Sequence, residues 1–105
     1  MAWVVLIVAG LFETAWAVGL KESRGFTRVG PSIATVVCMA ISLYLLGLSL
    51  RTLPIGTAYP IWTGIGAVGT VIVGIAWFGE SSDLPRIVCI LLIVAGIVGL
   101  RLFTR

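Results

Sequence analysis

Charged residues fall in short clusters along this chain, at 21–28, at Arg51, at 80–86 and at 101–105, with Glu13 alone outside them. Between the clusters the sequence is almost continuously apolar. Residues 1–20 carry Glu13 as their only charge, while 29–50 and 52–79 carry none. Each run is long enough for the roughly 20 residues that take a helix across a bilayer core. The fourth uncharged run, 87–100, is shorter. Asp83 and Pro85 can open a helix ahead of it, and Arg86 and Arg101 can reach toward the headgroups. The pattern predicts an all-α membrane protein, a single four-helix transmembrane domain over 1–105 with spans at about 2–20, 29–50, 54–78 and 84–103.

The connections, 21–30, 51–53 and 79–83, are short enough to make neighbouring helices antiparallel hairpins. Gly25 can end the first helix, and Pro31 and Pro54 suit the first turns of the second and third. Ala15-Trp16-Ala17 has the small-x-small form of a cleaved signal peptide. No basic segment precedes it, however, and Glu13 interrupts the apolar stretch, so the first span is expected to be retained.

Composition narrows the function classes. Of the 105 residues 60% are hydrophobic and 10% charged, against about 25% charged in a soluble domain. Cys38 and Cys89 sit in apolar spans as small hydrophobic residues. There is no histidine, no Cys-x-x-Cys, no glycine-rich phosphate loop and no nucleophile-base motif, so no metal, cofactor or enzyme activity is expected. The net charge of +3 fits basic loop ends rather than a nucleic-acid partner.

Orientation is nearly undetermined. Arg51, Arg101 and Arg105 lie on the side of the N-terminus, and Lys21, Arg24, Arg28 and Arg86 on the other. A difference of one basic residue gives insertion little direction, which leaves two readings, a single winning orientation or a dual topology in which oppositely inserted copies pair. Four helices also supply only half of the inverted repeat from which larger transporters build alternating gates, and an antiparallel homodimer would supply the other half. Ala95, Gly96 and Gly99 on the last span suit close helix contact in such a dimer, although small residues are common in membrane helices generally.

Glu13 is the chemical focus. It lies ten residues after Trp3, an interfacial anchor, and so about 15 Å deep at 1.5 Å per residue. A charge there costs about 2.5–3.5 kcal/mol on insertion scales and marks a functional site unless a neutral, hydrogen-bonded glutamate merely helps packing. Leu6, Gly10, Glu13 and Ala17 share one helix face, with Trp16 at its edge. The small residues leave space for a ligand or for another helix. Ser42 on the second span, and Tyr59 and Trp62 one turn apart on the third, can bring hydroxyl and indole donors to the same depth. Each also has a structural reading, since serine bonds its own helix backbone and aromatic rings fill cores. Pro60 frees a carbonyl near Gly56, and Gly64 and Gly66 form a plausible bend, so the third helix is a candidate gate or portal.

These residues resemble the small multidrug resistance family, and within it the guanidinium exporter subtype. The resemblance runs the length of the chain through Gly10-Leu11-Phe12-Glu13 with Trp16, Gly25-Phe26-Thr27-Arg28, Pro31-Ser32, Pro54-Ile55-Gly56-Thr57-Ala58-Tyr59 and Ile61-Trp62-Thr63-Gly64-Ile65-Gly66. It implies an antiparallel homodimer in a bacterial inner membrane, with Glu13 of each copy binding both proton and substrate, and with Trp16, Ser42, Tyr59 and Trp62 around it. Gly10, Trp16 and Ser42 resemble the guanidinium subtype more than the polyaromatic drug exporters. Pro60 departs from the family pattern, where a small residue is usual, and bears on substrate range. Guanidinium is planar and cationic, and its N–H edges can pair with a carboxylate in two-pronged fashion. Protons and substrate would then compete for one group, and export would run on inward proton flow.

Three other readings stand beside this one. Trp16, Tyr59 and Trp62 could offer cation-π faces to hydrophobic quaternary ammonium ions. A proton-translocating rotor subunit also has glycine-rich helices and one midmembrane acid, but four spans and the Ser/Tyr/Trp set fit a small-ligand site better. A non-transporting membrane assembly subunit would use Glu13 structurally.

Overall fold

The computed structural model describes residues 1–103; Arg105, counted above on the side of the N-terminus, lies outside the described residues. The chain forms four α-helices, α1 (Ala2–Glu22), α2 (Val29–Ser49), α3 (Ile55–Trp77) and α4 (Leu84–Phe103). Each is long and apolar enough to cross a membrane, and the protein is a multi-pass membrane protein.

Local chemistry sets the helix ends. α1 stops at Glu22, before the expected Gly25, because Ser23 organises the turn. The buried Ser23 hydroxyl donates to the Leu20 carbonyl at 2.7 Å and accepts from Phe26 N–H at 3.1 Å. Its own carbonyl accepts from Thr27 and Arg28 N–H. Arg24, Gly25 and Phe26 then all take positive φ, a conformation that only the glycine adopts without steric cost. α2 follows the extended Arg28, and α3 follows Pro54, whose φ of −66° and ψ of 146° stop the helix from extending backward. At the other end of α3, Gly79 takes a φ of +66°, and Glu80 N–H turns back onto the Gly74 carbonyl at 3.0 Å. α3 itself runs unbroken through Pro60 and residues 64–66.

α1 packs against both α2 and α3, α2 and α3 touch lightly, and α4 packs against α3. The Cα envelope measures 44 × 35 × 17 Å. The buried core is small, consisting of Leu6 and Ala9 of α1, Leu46 of α2, and Ala58, Ile61 and Trp62 of α3. No residue of α4 is buried. At the same end as this core the Arg101 guanidinium stacks over the Trp3 ring at 5.0 Å, a cation-π contact that joins the end of α4 to the start of α1.

Candidate functional site

Glu13 projects from the face of α1 that meets α3. Its Oε2 is buried and has no hydrogen-bond partner among the described residues, and the same holds for Nε1 of Trp16, one turn further along α1. Buried polar atoms are normally paired. This stretch of α1 therefore leaves one acceptor and one donor for a group from outside the chain. The ion pairs among the described residues are Arg28 with Glu22 at 3.7 Å and Arg86 with Glu80 at 3.4 Å, so no cation among those residues pairs with Glu13.

Close approach of α3 fixes where that carboxyl sits. A Cβ built on Gly66 would overlap the Glu13 carboxyl group, and one on Gly69 would overlap the hydroxyl of Thr14. Thr14 Oγ1 donates to the Gly66 carbonyl at 3.2 Å, with the Gly10 carbonyl of its own helix at 3.4 Å. The backbone of α3 is thus bound to the residue next to Glu13. Sequence reasoning missed Thr14 as a site neighbour, because a threonine in a helix ordinarily bonds its own preceding turn. Nothing local signals that Gly66 lies across from it.

Deeper in the core, three helices share one chain of polar contacts. Ser42 is fully buried, and its hydroxyl donates to the Ala9 carbonyl at 2.7 Å. It accepts from Trp62 Nε1–H at 3.0 Å. Ser42 therefore bonds α1 rather than its own helix, and Trp62, only 7% exposed, is pinned by both packing and hydrogen bonding. Tyr59 lies one turn before it, with ring centroids 5.7 Å apart and planes tilted by 45°. Its side chain remains exposed and, with Ile55, Gly56 and Pro60, borders an open apolar cleft of about 370 Å³.

The remaining candidates divide by helix. At Gly10 the space of an absent side chain is filled by Ile65, whose Cγ2 lies 2.5 Å from a built Cβ. Gly64 faces α4, with Ile97 Cδ1 2.9 Å from the corresponding position. Ala95 and Gly96 are exposed and Gly99 half-buried on the outer helix. No group of three potential metal ligands occurs among the described residues. Chemically, the arrangement is a carboxylate held against glycine, with an unpartnered indole N–H one turn along the same helix.

Comparison of the sequence with known proteins points to a family. The family model described as Small Multidrug Resistance protein matches residues 1–93. A guanidinium exporter of Yersinia pseudotuberculosis is 58% identical over 102 residues, covering 97% of this chain and 98% of the relative. A guanidinium exporter of Citrobacter freundii is 55% identical over the whole of both chains, and one of Salmonella typhimurium strain LT2 is 56% identical over 97% of each. These relatives are named as transporters rather than enzymes, and the chain belongs to the small multidrug resistance family.

Proposed function

We propose that this protein exports guanidinium and small guanidinyl cations across the bacterial inner membrane in exchange for protons. The observation that carries the reading is the buried, unpartnered Glu13 Oε2, the one acid in the midmembrane part of any helix, in a chain whose relatives are named guanidinium exporters. A carboxylate offers paired lone pairs to the N–H edge of a planar cation, and the indole and hydroxyl groups of Trp16, Ser42, Tyr59 and Trp62 form its surroundings. Proton and cation occupy the same group in turn, so a carrier that changes its open side only when occupied exchanges one for the other.

The working unit is an antiparallel homodimer of dual-topology copies. The small buried core and the absence of any buried residue on α4 support this, because they leave apolar helix faces for a second copy. The near-balanced basic residues permit both insertions. The outer face of α4, with Ala95 and Gly96 exposed, has no neighbour within the chain and suits contact with the second copy. Movement at Gly64 and Gly66, beside Glu13 and α4, is the gating element of this scheme, and Pro60 borders the portal.

Proton flux driven by guanidinium in sealed vesicles tests the exchange. Wild type should acidify or alkalinise the lumen according to the guanidinium gradient, and Glu13→Gln should show no coupled flux. Wild-type transport by Glu13→Gln would sink the carrier mechanism in favour of an assembly role. The open apolar cleft beside Tyr59 and Pro60 favours one second reading, the export of hydrophobic quaternary ammonium ions. Currents evoked by a tetraalkylammonium but not by guanidinium would reverse the order.

A further inference from the structure

A second cleft, of about 430 Å³, runs between α1 and α3 and is lined by Leu11, Thr14, Ala15, Val18 and Glu22 of α1 with Val73 and Trp77 of α3. At about 100° per residue Leu11, Ala15, Val18 and Glu22 lie on the far side of α1 from Glu13, so in the dimer proposed above a copy facing Glu13 leaves this cleft to the bilayer. Leu11 is 57% exposed and Trp77 78% exposed.

Its length and its ends point to an occupant. The distance along α1 from Leu11 to Glu22 is about 16 Å at 1.5 Å per residue, close to one leaflet of a hydrocarbon core roughly 30 Å thick. The walls are apolar along that distance apart from Thr14, whose hydroxyl donates to the Gly66 carbonyl, and Trp77 at the outer end is an aromatic of the kind that marks the headgroup level. Charge is confined to the same end. Glu22 and Arg28 approach to 3.7 Å with side chains 39% and 51% exposed. A carboxylate and a guanidinium in so loose a contact keep most of their lone pairs and donors available.

We propose that this cleft holds one acyl chain of a phospholipid with a primary-ammonium headgroup, the ammonium donating to Glu22 and the phosphate accepting from Arg28. The charge order selects the headgroup. A primary ammonium gives Glu22 N–H donors, a quaternary one gives none, and a headgroup with only negative charge meets Glu22 as a like charge.

Native mass spectrometry of the purified full chain in detergent tests the site, with equimolar dioleoyl phosphatidylethanolamine, phosphatidylcholine and phosphatidylglycerol as probes. The ethanolamine lipid should be retained about threefold more than either of the others, the scale an exposed ion pair provides. Glu22→Gln should bring its retention down to that of the choline lipid, and Ala15→Phe, which fills the cleft, should lower retention of all three. Equal retention of the three lipids by wild type, or an unchanged preference in Glu22→Gln, would overturn the proposal. Glu22→Gln alters only a partly exposed side chain, so it decides the matter even if Ala15→Phe fails to fold.

Discussion

The Trp62 indole N–H donates to the Ser42 hydroxyl at 3.0 Å, and that hydroxyl passes the contact on to the Ala9 carbonyl at 2.7 Å. One serine thus ties the three helices of the core together. Ser42→Ala removes both contacts and leaves the buried Trp62 indole N–H unpaired, at about 1–3 kcal/mol, while the Ala9 carbonyl keeps its bond within α1. The variant should unfold at lower temperature in detergent, and its tryptophan emission should shift as Trp62 loosens. A melting temperature within error of wild type would contradict the pinning role.

Glu13 gives a pH dependence whose sign is fixed by chemistry. The deprotonated carboxylate is the form that accepts a cation, so apparent guanidinium affinity should fall as pH falls, by at most about tenfold per unit for each carboxyl. In the proposed dimer the two facing carboxyls would titrate as a coupled pair and broaden that response. Equilibrium binding across a pH series checks this, and a flat profile would contradict competition between proton and cation.

The contacts of Gly66 and Gly69 predict a contrast with Gly47. A methyl at Gly66 or Gly69 meets the Glu13 carboxyl or the Thr14 hydroxyl, whereas one at Gly47 meets nothing within 4 Å. Gly66→Ala and Gly69→Ala should each destabilise by about 1–3 kcal/mol through overpacking and depress transport. Gly47→Ala should be neutral or gain up to about 1 kcal/mol from helix propensity. Thermal unfolding and vesicle flux on the three variants give the comparison.

Gly10 has two possible roles that a double substitution separates. Its absent side chain is replaced by Ile65, so Gly10→Ala should destabilise, and Ile65→Ala in the same chain, which removes the Cγ2 methyl nearest that position, should offset part of the loss, with a coupling of about 0.5–3 kcal/mol. Stability that recovers without transport would show that Gly10 also keeps space for substrate.

Much of the fold was legible in order along the chain, because a span is announced by a run without charge, and lipid makes that requirement strict. α1 ends at Glu22, three residues before Gly25, since the signal there is a buried serine hydroxyl and not the glycine. At the site, Glu13 stood out by cost alone, as an acid at midmembrane depth. Thr14 did not, because its hydroxyl finds its partner across the helix interface, on a carbonyl 52 positions away.

Sequence by itself determined the four apolar helices, their short hairpin connections and the one acid among them, since each follows from the solvent that a stretch of residues prefers and from where charge is tolerated. Tertiary structure decided what lies beside that acid: α3 close enough for its glycines to receive Glu13 and Thr14, Ser42 turned to α1, Ile65 seated at Gly10, and α4 packed on α3. Those relations depend on which helix faces meet, and helices apolar on every side carry little periodic pattern to fix that choice. Close packing of small residues and a few hydrogen bonds between helices settle it instead.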